Sequence, residues 1–124
     1  MTSTRLPGKV LADVNGQPML ARMLRRVRRA DRLDRIVVAT TVMSTDDPVV
    51  SLCDRLNVTV FRGEEHDVLA RYAAAAKLVA ADVIVRLTAD CPMADPEIVD
   101  QAVKLYVTGK WDFVSNVQRR TYPV

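Results

Sequence analysis

Ser3-Thr4-Arg5-Leu6-Pro7-Gly8-Lys9 places two hydroxyls, a turn glycine and two cations four residues apart in a single loop. Those groups suit a polyphosphate. Guanidinium and ammonium neutralise its oxygens, while turn N–H groups add donors without bulk. The G-x-x-x-x-G-K-[ST] spacing of a P-loop is absent, so any phosphate site here uses a different backbone frame. Asp90, within Thr88-Ala89-Asp90-Cys91-Pro92 and directly after an apolar run, is the best-placed carboxylate for a Mg2+ ion bridging phosphate oxygens. Its competing role is that of a turn aspartate accepting backbone N–H bonds. His66 is the one histidine and precedes Asp67 at a helix start, where a capping or surface role is expected. Cys53 and Cys91 are too few for a four-ligand zinc site and are expected as thiols, Cys91 as a buried one. Trp111, Phe113 and Tyr106 read as core or sheet-edge packing, because aromatics make up only 5% of the chain.

Elements that could position these groups alternate along the chain. Residues 18–30 read as a helix, with Met19, Leu20, Met23, Leu24 and Val27 on one face. Residues 35–41, Arg35-Ile36-Val37-Val38-Ala39-Thr40-Thr41, form a β-branched run expected as a buried strand. Asp46-Asp47-Pro48 supplies acidic capping residues and a first-turn proline for a helix through about Leu56. A second strand is expected at 58–61, an Ala- and Leu-rich helix at 67–81, and a third strand at 83–87 leading into Asp90. Asp95-Pro96-Glu97 opens a fourth helix with Ile98, Val99, Ala102, Val103 and Tyr106 as its stripe, and 113–117 is expected as a last strand. Such alternation implies a layered α/β domain with a mainly parallel sheet. Ligands of these sheets bind beyond the carboxyl ends of the strands, which brings the loops at 40–47, 62–67 and 88–95 together.

The 124 residues suffice for one domain, and no apolar run approaches the roughly 18 residues of a membrane helix. With no secretory h-region at the start, the expected compartment is the cytoplasm, and no membrane partner is expected. The net charge of +3 is too small to argue for nucleic acid by itself. It is unevenly placed, however: residues 1–35 carry nine basic groups against Asp13, Asp31 and Asp34. Most lie on the polar faces of the first helix, where a solvated surface is the expected role. A nucleic-acid-binding module built on the arginines from Arg22 to Arg35 is the less favoured alternative.

The motifs, taken in order, resemble a known family. Ser3-Thr4-Arg5-Leu6-Pro7-Gly8-Lys9-Val10-Leu11 followed by Asn15-Gly16-Gln17-Pro18-Met19-Leu20 is similar to the nucleotide-binding start of cytidylyltransferases that make CMP-activated sugars, including the CMP-Kdo and CMP-acylneuraminate synthetases. Val38-Ala39-Thr40-Thr41, Phe61-Arg62-Gly63, Asp67-Val68-Leu69-Ala70-Arg71-Tyr72, Arg86-Leu87-Thr88-Ala89-Asp90-Cys91-Pro92 and Ser115-Asn116-Val117 through Thr121-Tyr122-Pro123 look most like the spore-coat polysaccharide branch. The resemblance implies a nucleotide-diphospho-sugar transferase fold, Rossmann-like and three-layered. It also implies transfer of CMP from CTP to a sugar hydroxyl with release of pyrophosphate. By resemblance Ser3, Thr4, Arg5, Gly8 and Lys9 would bind the nucleotide, with Arg5 and Lys9 on the triphosphate. Arg62 and Asp67 would lie beside the nucleotide, Asp90 would bind Mg2+, and Asn116, Arg119 and Tyr122 would face the acceptor sugar. A homodimer is a further expectation.

Against the family pattern, Met1 falls where the buried first strand ends, and Val124 falls before an acidic continuation. The expectation is therefore a single incomplete domain over residues 1–124, lacking the first central strand and the C-terminal part. A non-catalytic remnant that binds nucleotide weakly or not at all is the alternative to an active transferase.

Overall fold

The computed structural model describes residues 8–116. The chain enters through a single 3-10 turn, Lys9–Leu11, after Gly8, whose φ of 69° lies in the left-handed region that favours glycine. A two-residue hairpin follows, β1 (Asp13–Val14) against β2 (Gln17–Pro18), paired antiparallel. Asn15 and Gly16 both have positive φ, as the tight turn of such a hairpin requires, and the Asp13 carboxylate accepts from the Gly16 amide at 2.8 Å. Asn15-Gly16 is thus a hairpin signal in the sequence itself, beside the helices and strands expected from periodicity.

Helix α1 (Met19–Val27) buries Leu20, Met23, Leu24 and Val27 of the expected stripe, with Met19 half-buried at its start. Strand β3 (Val37–Thr41) runs parallel to β4 (Thr59–Gly63), from Val37 opposite Thr59 to Thr41 opposite Gly63. The crossover between them is α2 (Asp47–Arg55), with Pro48 in its first turn. Leu20 and Leu24 of α1 meet Val49, Leu52 and Cys53 of α2 and Val58 in one core cluster. Val38 and Val60 pack against that cluster from the two strands, one position of each alternating pair. Each fully buried leucine there contributes about 1.5–3 kcal/mol of transfer free energy. Helix α3 (Val68–Leu78) packs on both β3 and β4, and α4 (Pro96–Thr108) packs on α1. Ile98, Ala102 and Tyr106 are half-buried beside the buried Val99 and Val103, so the α4 stripe is as expected.

Four expectations are corrected. Residues 83–87 form no strand among the described residues, and Val83 and Ile84 are exposed. A strand is a pairing rather than a propensity, and no neighbour in the described fold offers this segment a ladder. Residues 113–116 likewise lie outside any sheet, with Phe113 80% and Trp111 55% exposed rather than packed. Asp46 makes no side-chain cap on α2; its carboxylate turns back to Thr40 and Thr41 instead. Cys91 is exposed, because the turn at 88–91 holds it at the surface, whereas Cys53 is fully buried. No helix of the described residues is long and apolar enough to cross a membrane.

Candidate functional site

Lys9 and Asp90, 81 positions apart, meet in an ion pair with Nζ 2.6 Å from Oδ2. Their apolar neighbours make the meeting. Val10 and Leu11, following Lys9, and Ala89, preceding Asp90, all pack against the same core cluster, so the charged tips emerge side by side. Both side chains remain about one third exposed, which leaves them open to a ligand. The hydrogen bond from Lys9, and after it one from Thr88, holds the Asp90 carboxyl below the usual carboxylate range. A charged donor for phosphate and an ionised oxygen ligand for a hard cation thus share one surface point.

Arg62 stands at the carboxyl end of β4, and its guanidinium is engaged with the loop after β3. Nε donates to the Thr41 carbonyl and Nη2 to the Met43 carbonyl, each at 2.8 Å, and Nη1 lies 2.7 Å from the Asp47 carboxylate. Asp67 caps α3, accepting from the Ala70 amide at 2.9 Å. Neither residue bonds to Lys9 or Asp90. The loops after β3 and β4 are therefore joined to one another, as the parallel topology requires, and the Lys9–Asp90 pair forms a separate contact. His66 is exposed at the N-terminal side of the Asp67 cap and lies 4.0 Å from Glu65. Asn116 is exposed at the end of the described residues; Ser3, Thr4, Arg5, Arg119 and Tyr122 lie outside them. A cavity of about 380 Å3 lined by Arg28, Asp34, Arg35, Asn57 and Thr59 opens at the amino ends of β3 and β4, and contains none of the expected site residues.

Three arginines in and just after α1 are engaged by backbone carbonyls. Arg22 donates to the carbonyls of Val14 and Asn15, Arg26 to that of Ala94, and Arg28 to those of Leu56 and Asn57. These bonds commit part of the basic run to the chain's own backbone and weaken the nucleic-acid alternative.

A family model described as cytidylyltransferase matches residues 1–121. The chain belongs to the cytidylyltransferase family. It is 40% identical over 111 residues to the spore coat polysaccharide biosynthesis protein SpsF of Bacillus subtilis, covering 86% of this chain and 46% of that protein. It is 33% identical over 113 residues to a 3-deoxy-manno-octulosonate cytidylyltransferase of Chlorobium phaeobacteroides, covering 89% of this chain and 44% of that enzyme. The solved structure of a cytidylyltransferase from Leptospira borgpetersenii superposes with a TM-score of 0.84 at 39% identity, covering 89% of this chain and 46% of that one. The chain thus spans just under half the length of these relatives. The match carries the α/β class and the Rossmann-like nucleotide-diphospho-sugar transferase fold with its parallel pair.

Proposed function

We propose that this chain carries the nucleotide end of a transferase that moves CMP from CTP to a sugar hydroxyl. The observation that supports this reading most is the approach of Lys9 to Asp90 across 81 positions of sequence. Family membership supplies the nucleotide and the sugar as substrate classes. In the reaction the acceptor oxygen forms a bond to the α-phosphorus, its hydroxyl proton departs, and the bond to the β,γ-pyrophosphate breaks.

Lys9 serves as a point charge on the triphosphate oxygens, and Arg5 and the loop around Gly8 add donors. Ser3 and Thr4 offer hydroxyls to the same phosphates. Asp90 fits Mg2+ in the manner expected of that ion, one carboxylate with the rest of the shell from phosphates and water. A single carboxylate of this kind suits an ion brought in with the nucleotide. Bound there, Mg2+ would supply charge neutralisation on the departing pyrophosphate. Arg62 and Asp67 are assigned to the nucleoside side and Asn116, Arg119 and Tyr122 to the acceptor. No covalent enzyme intermediate is needed, and the rate gain comes from positioning and electrostatics.

The test is magnesium-dependent pyrophosphate release from CTP with 3-deoxy-manno-octulosonate as an acceptor, using folded protein. Release that requires both sugar and Mg2+ is expected. Folded protein giving no release with this or any other acidic sugar favours the non-catalytic alternative.

A further inference from the structure

Asp90 lies in a loop that no sheet ladder holds, since residues 83–87 are unpaired among the described residues. Two side chains from different helices hold it instead. On the upstream side, the Tyr72 hydroxyl of α3 donates to the Leu87 carbonyl at 3.3 Å. The same ring lies beneath Arg86, with the guanidinium carbon 5.2 Å from its centroid, so one tyrosine grips two consecutive residues. On the downstream side, Arg26 of α1 donates from Nε to the Ala94 carbonyl at 3.1 Å. Between these points the loop is folded on itself, Cys91 donating to the Thr88 carbonyl at 3.3 Å and Ala94 to the Cys91 carbonyl at 3.1 Å. These two bonds tie residues 88–94 together between the two tethers, with Asp90 among them.

We infer that Tyr72 and Arg26 are positioning residues that hold the Asp90 loop in place against Lys9 from its two sides. The inference rests on the proposed role of Asp90 in nucleotide transfer. Neither residue touches the Lys9–Asp90 pair, and each acts through a backbone carbonyl three or four positions from Asp90. Arg26 thereby has a specific task within a run of arginines that otherwise reads as a solvated surface.

Tyr72→Phe removes the hydroxyl and keeps the ring under Arg86; Arg26→Met removes the donor and keeps an apolar stem. Arg25→Met, at the exposed neighbouring position, is the control. Amide hydrogen exchange at Cys91 and Ala94 is expected to rise about fivefold in each single variant and further in the double variant, with the control unchanged. In pyrophosphate release, kcat is expected to fall about tenfold or more while KM for CTP stays within about twofold, the signature of a misplaced group rather than a lost binding contact. Unchanged exchange in the double variant overturns the inference. So does faster exchange with unchanged kcat, which would make the tethers structural only. Should the parent chain release no pyrophosphate, that result counts against the proposed activity, and exchange alone decides whether the loop is held from these two points.

Discussion

Asp46 is 1% exposed, and the Thr40 hydroxyl and the Thr41 hydroxyl and amide all converge on its Oδ2. Burial works to raise its pKa, yet the hydrogen bonds it accepts, these among them, hold it well below the ordinary carboxylate value. Replacing it with alanine strands those buried donors, and a loss of about 2–4 kcal/mol in urea unfolding is expected. The sign of its pH dependence follows from the depressed value. Its stabilisation is complete above about pH 4 and is lost as the pH falls towards the folded-state value, a fall that Asp46→Asn should flatten. Cys53 behaves oppositely: burial, and then the charge of Asp54, push its thiol up to about 11. A thiol reagent at pH 8 should therefore titrate Cys91 alone in the native protein and both cysteines after unfolding; two fast thiols would contradict the buried site. Little of this was legible in the residues. Asp-Asp-Pro announces a helix start, and the pattern does not say that one of its carboxylates reaches back to a threonine pair five and six residues earlier.

Helices were the most legible elements, because a 3.6-residue stripe and a cap are local facts. Asp67 and Asp95 each accept from an amide in the first turn they cap, at 2.9 and 2.8 Å. Asp67→Ala and Asp95→Ala should each cost about 1 kcal/mol, read as a lowered unfolding midpoint with far-UV helical signal retained, and no shift in either would refute the capping role. The parallel pair was legible for the same reason, two short β-branched runs with a helix between them. Val83-Ile84-Val85 is equally rich in β-branched residues and yet is unpaired among the described residues, because pairing is decided by what lies alongside it and not by the segment itself. The arginine run was legible as a charged face. Which of its members bind carbonyls is set by the hairpin, the turn after α2 and the Asp90 loop, all remote from α1 in sequence.

At the scale of the whole molecule, the ordered series of motifs carried the family, and the fold agrees with a solved relative at a TM-score of 0.84. Of the expected site, one pair is assembled within the described residues, Lys9 with Asp90; Arg62 and Asp67 serve the loops that bear them. Lys9 and Asp90 neutralise each other in this structure, and in the proposed function a metal-bound triphosphate would separate them. In the proposed reaction Lys9 would then serve the phosphate oxygens and Asp90 would hold the ion. Equilibrium binding of CTP with and without Mg2+, in the parent, Lys9→Met and Asp90→Asn proteins, tests this most directly. Mg2+ is expected to strengthen binding to the parent, and Lys9→Met to weaken it about tenfold. Asp90→Asn should abolish the gain from Mg2+ while improving metal-free binding, since Lys9 is released from its partner. Equal CTP affinity in all three proteins, or a gain from Mg2+ that survives in Asp90→Asn, would contradict it.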